Sequence, residues 1–400
     1  MVLNTSDTKV KRVIFLLVVI LTNLFSYAYI SNTIQYLHYI ISFIILFYYL
    51  NGRRNLDKHI PLQNIVLCLC LYPIFSFYFT LFFYNPECWD YYKYRVISQA
   101  IFLIFFLFHI YKVKEKTLMQ AFITIGLVVF ATQIIQQIFP DYAVFGVRDM
   151  SDINNEGYEK VEIRNGLYRY RLISVYFITM LDVFYFWEKI LIKRTRKDIL
   201  LFCIFLCSTY LFLTRQIIFS VGVSILFSFL FTRNSNAKKW SIGGAILLVI
   251  LLYFFYDAIL GELLSKTQDE LDDSNIRLTC LTFYWEKITE SFQTILFGNG
   301  FPALLVEWQR TLKLTPADIG LVGEWFYYGI IWIVIYLYTL GVIFLKYRNF
   351  IPLYIKLFMV STFLISIMIF PYRSAIEYLI WSSVLYICSI HIKKFKSKSV

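Results

Sequence analysis

The apolar positions of this chain come in runs about as long as a bilayer is thick, separated by short polar segments. A helix crossing the hydrocarbon core needs ~20 apolar residues. Twelve stretches approach that length: 13–30, 34–50, 62–84, 95–111, 118–139, 170–192, 198–214, 216–232, 241–260, 321–345, 351–370 and 374–391. Backbone groups at membrane depth must pair within the protein, and helices do this locally. The pattern therefore predicts an all-α polytopic integral membrane bundle of about twelve transmembrane helices. Two long polar loops, 140–169 and 261–320, interrupt it. They divide the chain into a five-span N-terminal bundle (1–139), a first loop, four central spans (170–260), a second loop, and C-terminal spans with a basic tail (321–400).

One run is too long for a single span. Ile199 to Thr232 is 34 residues, with Arg215 alone in its middle. It reads as two spans joined by a turn at Thr214-Arg215-Gln216. A charge at such depth is expensive and marks a functional position by default.

Charge sets the orientation. With the N-terminus cytoplasmic, the inner segments hold 22 of the 38 Lys and Arg, and every short inner loop is basic, as the positive-inside rule requires. Merging 198–232 into one span inverts all later loops and destroys this pattern. Both termini are then cytoplasmic. The outer face holds nine Arg against five Lys, whereas the inner face holds seven Arg against fifteen Lys. The rule does not explain outer arginine. Guanidinium is a fixed fork of donors suited to carboxylate or phosphate. The outer arginines either pair with the outer Asp and Glu or hold an anion.

Composition agrees with a membrane protein. Of 400 residues, 59% are hydrophobic and 20% aromatic, mean hydropathy is +0.64, and only 16% are charged, against ~25% in soluble domains. The first run follows Lys9, Lys11 and Arg12 and lacks a small-residue cleavage site, so a retained span is expected. The net charge of +12 follows from topology and points to an anionic membrane surface, with no nucleic acid as partner. Cys68, Cys70, Cys203, Cys207 and Cys388 fall in spans and are expected to pack as small apolar groups. Cys88 and Cys280 lie outside them, as a bridge or as free thiols. No Cys/His spacing matches a metal site, and no cofactor motif is present. No internal repeat is visible, and Asn51–Asp57 shares little with the signature of twelve-span facilitators.

The loops carry the chemistry. The first is acidic (Asp149, Asp152, Glu156, Glu159, Glu162) and ends in Arg164-Asn165-Gly166-Leu167-Tyr168-Arg169-Tyr170-Arg171. This is either an interfacial anchor belt or a surface for sugars and anions, with tyrosines stacking and arginines gripping phosphate. The second begins with Asp269-Glu270-Leu271-Asp272-Asp273. Leu278, Leu281, Trp285, Ile288, Phe292 and Ile295 then recur every three or four residues and predict one amphipathic helix lying on the membrane or against the bundle. Asp273 or Ser274 would cap it, and Gly298-Asn299-Gly300 would end it. Asp318 and Glu324 flank Gly320 and Gly323 where the chain re-enters. Asp182, in mid-span, is expected to hydrogen-bond a neighbouring helix. Arg373 and Glu377 are spaced to pair on one helix face.

The Thr214-Arg215 span end, opening directly into the next span, resembles the Thr/Ser-Arg turn of Wzy-type O-antigen polymerases and the related O-antigen ligases. So does the late outer loop, with Arg277, an aromatic-rich helix and Phe297-Gly298-Asn299-Gly300. Asp318-Ile319-Gly320, Glu324 and Gly329-Ile330 are similar to that family's re-entry. The resemblance covers roughly 160–345 by motif and the whole chain by topology. It implies a GT-C-like membrane fold and a cofactor-free glycosyltransferase of the bacterial inner membrane, making O-antigen, capsule or exopolysaccharide. Its substrate would be an undecaprenyl-diphosphate-linked oligosaccharide in membrane lipid, and a chain-length regulator protein is a further expected partner. The ligase pattern includes a late-loop His. None occurs between Ala258 and Gly320, so polymerisation is implied over ligation.

Departure of a lipid diphosphate builds negative charge, which arginines in a dry site stabilise strongly. Arg215 and Arg277 are the expected clamp. Asp318 or Glu324 is the expected base toward the acceptor hydroxyl. Arg164, Tyr168, Arg169, Arg171, Gly298, Gly300 and Arg373 are the expected substrate contacts, and the displacement would be metal-independent and inverting. A ligase, a lipid-linked oligosaccharide flippase and a solute transporter are the alternatives. The outer-rim charge and the two long outer loops favour a reaction at that face over transport.

Overall fold

A computed structural model describes residues 3–22, 31–57, 59–83, 87, 96–139, 163–168, 175–232, 234–254, 276–312 and 314–397. In chain order the helices are α1 (Leu3–Thr22), α2 (Ser31–Gly52), α3 (Gln63–Phe83), α4 (Ile104–Ile110), α5 (Glu115–Ile138), α6 (Tyr176–Ile192), α7 (Arg196–Leu211), α8 (Arg215–Leu226), α9 (Ser228–Phe231), α10 (Ser235–Phe254), α11 (Ile276–Thr289), α12 (Phe292–Phe297), α13 (Leu304–Thr311), α14 (Gly320–Tyr328), α15 (Ile330–Gly341), α16 (Leu353–Ser366) and α17 (Ala375–Lys396). Short 3-10 turns at Arg53–Asn55, Val96–Leu103 and Pro316–Ile319 and a π turn at Val342–Lys346 join them. The described residues are all-α apart from one hairpin of two-residue strands, β1 (Ile163–Arg164) and β2 (Leu167–Tyr168). Among the described residues, three helices, α3, α5 and α17, are long and apolar enough to cross a membrane.

The chain divides into two compact units, 1–38 with 113–268 and 352–361, and 39–112 with 269–351 and 362–400.

In the first unit, helix ends follow local chemistry. Thr195 caps α7, its Oγ1 accepting the Asp198 amide at 3.1 Å, and the Asp198 charge suits the N-terminal dipole. The long run of apolar residues does split, but two residues earlier than expected. The turn is at 212–214, where Leu213 takes φ +49°, and Arg215 is already the first residue of α8. The hairpin turns on Asn165 (φ +52°) and Gly166 (φ +67°), a pairing of residue types that favours the primed two-residue turn. It is held by Gln137 of α5, whose Oε1 accepts the Tyr168 amide at 3.0 Å while Nε2 donates to the Tyr168 carbonyl at 2.6 Å. Asn165 Nδ2 adds a bond to the Tyr210 hydroxyl at 3.1 Å.

Asp182 of α6 departs from expectation. It is fully buried, yet neither carboxylate oxygen has a hydrogen-bond partner among the described residues. Gly126 makes the room, since a Cβ there would stand 2.5 Å from Oδ2. The expected bond to a neighbouring helix is absent because the facing positions are Gly126 and the Phe205 ring. Of the span cysteines, Cys70 and Cys388 are buried, but Cys68, Cys203 and Cys207 are exposed rather than packed, each lying on an outward helix face.

In the second unit, α17 is the core: 89% of its most apolar window is buried. Ser374 and Glu377 start it with a reciprocal capping box. Two expected helices break. The span expected at 321–345 stops at Gly329 (φ +81°), between α14 and α15. The amphipathic helix expected through 278–295 ends at Thr289, and a Ser291–Thr294 capping box starts α12. Its buried face also differs. Cys280, Tyr284 and Ile288 are buried, while Leu278, Leu281, Trp285 and Phe292 stay exposed. The outward apolar stripe suits a helix against lipid. The expected caps Asp273 and Ser274, the preceding acidic run, the acidic part of the first loop and Cys88 lie outside the described residues.

Candidate functional site

The two breaks of the second unit meet. A helix that stops inside an apolar bundle frees carbonyls that need partners. The amides of Asn299 and Gly300 donate to the carbonyls of Phe326 and Tyr327 at 2.6 and 3.1 Å. From α3, the Tyr72 hydroxyl donates to the Tyr328 carbonyl at 2.9 Å, and Ser76 Oγ donates to that of Phe297 at 2.6 Å. The backbones are too close for any side chain: a Cβ on Gly329 would lie 2.0 Å from the Leu296 carbonyl oxygen. A Cβ on Gly298 would lie 2.6 Å from the Gly329 nitrogen, one on Gly300 would lie 3.0 Å from the Thr80 side chain, and the Gly300 amide is engaged by Tyr327.

A second tight passage lies at the start of α14. Gly320 takes φ +46°, and a Cβ on Gly323 would meet the Pro316 carbonyl oxygen at 1.8 Å. The 3-10 turn bearing Asp318 is thus folded against the first turn of α14. Helix α11 holds the preceding segment: the Tyr284 hydroxyl donates to the Leu314 carbonyl at 3.0 Å, and Cys280 Sγ to that of Thr315 at 3.4 Å. Cys280 is a free thiol, and burial pushes it up to about 11.

Four of the expected site residues converge here. Glu324 is 3% exposed, and its Oε1 accepts from Arg373 Nε at 3.1 Å. Arg373 Nη1 donates to the Ala317 carbonyl at 2.7 Å, beside Asp318. Besides the spacing that suits Arg373 to Glu377, the Arg373 side chain thus reaches α14 and the Pro316–Ile319 turn. Glu377 acts as a cap and accepts the Arg373 and Ser374 amides. Asp318 itself keeps contact with solvent. Partial desolvation pushes its carboxyl above the usual range, and the charges of Arg373 and Arg277 pull it back. Arg277, exposed in the first turn of α11, is thereby placed within electrostatic reach of Asp318.

Beside this group is a small cleft of about 200 Å³, counting space open to solvent, lined by Phe301, Glu324, Tyr327, Tyr328, Tyr372, Arg373 and Tyr378. Phe301 stacks on Tyr327 with centroids 4.4 Å apart, and Gln99 Nε2 donates to the Tyr378 hydroxyl at 2.7 Å. The sequence reading missed these tyrosines. The available signal was Tyr327-Tyr328-Gly329, a glycine inside an apolar run preceded by ring residues.

The remaining expected residues belong to the first unit. Arg215 is half-buried at the start of α8. Tyr168 is half-buried in the hairpin, its backbone clamped by Gln137. The Arg164 backbone lies in β1, and Arg169 and Arg171 fall outside the described residues.

No protein-family model matches the sequence, and no curated protein or solved structure shows detectable similarity to it.

Proposed function

We propose that this chain is a polysaccharide repeat-unit polymerase of a bacterial inner membrane, transferring a growing glycan from undecaprenyl diphosphate to a lipid-linked acceptor unit. The observation that carries the reading is the cleft: a buried Glu324–Arg373 pair, a solvent-touching Asp318 flanked by Arg373 and Arg277, and tyrosine walls. Aromatic rings with a few polar groups suit sugar rings. Two guanidinium groups beside a carboxylate suit a reaction that moves a proton while releasing an anion.

The acceptor hydroxyl oxygen attacks the anomeric carbon of the donor. The bond from that carbon to the diphosphate oxygen breaks, and the diphosphate leaves with the electron pair. The hydroxyl proton passes to Asp318. Asp318 is preferred to Glu324 as base because Glu324 is buried and already holds Arg373. Arg277 and Arg373 stabilise the departing charge. Within the first unit, Arg215 is separately proposed as an anion ligand, since a guanidinium and a helix N-terminus both favour anions.

The test is a deletion strain complemented with wild type, Asp318→Asn or Arg215→Lys, its surface polysaccharide resolved on a gel. The expected deletion phenotype is a ladder collapsed to single units, restored by wild type and by neither variant at equal membrane levels. Loss of every unit from the core points to a ligase or flippase instead. An unchanged ladder points to a transporter and ends the proposal.

A further inference from the structure

Two basic segments of the first unit, separated by some forty residues of chain, are brought together by the fold. Lys193, Arg194, Arg196 and Lys197 lie where α6 gives way to α7, and Lys238 and Lys239 lie near the start of α10; all six are exposed. The Arg194 guanidinium stands over the Trp240 ring, 4.0 Å from its centroid. Ser228 Oγ accepts from Trp187 Nε1 of α6 at 3.1 Å and shares a hydrogen bond of 2.5 Å with Ser241 Oγ of α10. None of the six cations forms an ion pair among the described residues. Asp198, the acid of the same segment, accepts from the Thr195 hydroxyl at 2.5 Å. Cations in such loops follow from the positive-inside rule, which asks for no particular conformation. Arg194 has one. It takes φ +52° just past the end of α6, where glycine is the common residue. Strain of this kind collects at ligand clamps. Stacking uses the face of the guanidinium and leaves its N–H edge available to an anion. Beyond Lys239, the residues Ile242, Ile246, Val249 and Tyr253 follow at intervals of three and four along α10, all exposed. They form an apolar ridge that starts at the cations.

We propose that this cluster binds an anionic phospholipid, its phosphate on Arg194 and the neighbouring lysines and its acyl chains along the outward ridge of α10. A soluble anion would use the cations and leave the ridge uncovered. A neutral lipid would use the ridge and leave six cations uncompensated. An anionic lipid satisfies both, and basic clusters at the ends of membrane helices recognise such headgroups. The site takes from the preceding sections only that the chain lies in a membrane. It is independent of the polymerase reading and of the cleft.

The experiment titrates purified full-length protein in neutral detergent with dioctanoyl phosphatidylglycerol, dioctanoyl phosphatidylcholine or inorganic phosphate. Bound molecules are counted by native mass spectrometry, and thermal unfolding is measured without lipid. Arg194→Lys keeps the charge but loses the planar fork and its stacking. Arg194→Asn tolerates the positive φ, so its backbone is under no added strain. Lys394→Gln removes one charge from the basic tail as a control. The expected result is saturable binding of phosphatidylglycerol, weakened about tenfold in both Arg194 variants, the factor that one lost charge-assisted hydrogen bond gives. Lys394→Gln should bind as wild type, and all unfolding temperatures should match. Wild-type affinity in Arg194→Lys would show that charge alone attracts the lipid and overturns the site. Equal binding of phosphatidylcholine, or displacement of phosphatidylglycerol by equimolar phosphate, overturns it too. Weaker binding with a lower unfolding temperature in both Arg194 variants assigns the Arg194–Trp240 contact to the fold, and the proposal falls.

Discussion

Asp182 and Glu324 are both helix carboxylates removed from solvent, at 0% and 3% exposure, and the protein treats them differently. Glu324 faces Arg373, whose guanidinium also holds the Ala317 carbonyl. Asp182 faces a glycine and a phenylalanine edge, and nothing among the described residues bonds to it. Burial alone therefore does not identify a reactive acid. The informative difference is the company: Glu324 belongs to a group that also positions Asp318 and opens on a cleft. A carboxylate that makes no directional bond has no geometry to impart to a substrate.

The largest effect that could break this comparison is removal of the arginine. Arg373→Ala leaves Glu324 buried without its partner and should destabilise the second unit by about 3–5 kcal/mol, read as a lower thermal midpoint in detergent. Adding Glu324→Gln to Arg373→Ala should recover much of the midpoint and none of the polymer. Equal midpoints for single and double variants would show that the pair contributes nothing to the fold.

The next effect is on pH. A base works deprotonated, and the carboxyl of Asp318 lies above the ordinary aspartate range. Activity should therefore fall, as pH is lowered, at a higher pH than an ordinary aspartate would give. Arg277 pulls that carboxyl down, so Arg277→Ala should move the acid limb upward as well as slowing the reaction. A limb that stays in place in Arg277→Ala removes Asp318 as the base.

The smallest effect is expected at Asp182. Asp182→Asn keeps the shape and removes only the option of charge. Because no cation among the described residues faces the carboxylate, the variant should lie within about 1 kcal/mol of wild type and make normal polymer. A large loss of polymer at unchanged stability would reverse the comparison and make Asp182 the functional acid.

The sequence by itself determined much that is local. Apolar runs place the helices, and the caps at Thr195, Ser291 and Ser374 act within four residues of chain, as does the Asn165-Gly166 turn. Asp318, Glu324, Arg277 and Arg373 were also legible as candidates, because charged residues at the edges of apolar runs are rare and costly. Only the tertiary structure decided which partners they have. The spacing of Arg373 and Glu377 suits a pair on one helix, but nothing in that spacing says that Glu377 caps α17 or that the guanidinium reaches Glu324 on α14. The face of α11 that turns inward, Cys280–Tyr284–Ile288, is not its most apolar stripe, because the Leu314–Asp318 segment offers carbonyls that a thiol and a phenol satisfy. Gly298 and Gly300 read as a turn for a ligand, and nothing in the sequence says that the Gly298 backbone packs directly on that of Gly329. The tyrosines of the cleft were invisible for the same reason. Helix formation and capping depend on neighbours in sequence, whereas the choice of buried face and the partner of a buried charge depend on segments that become neighbours only when the chain is folded.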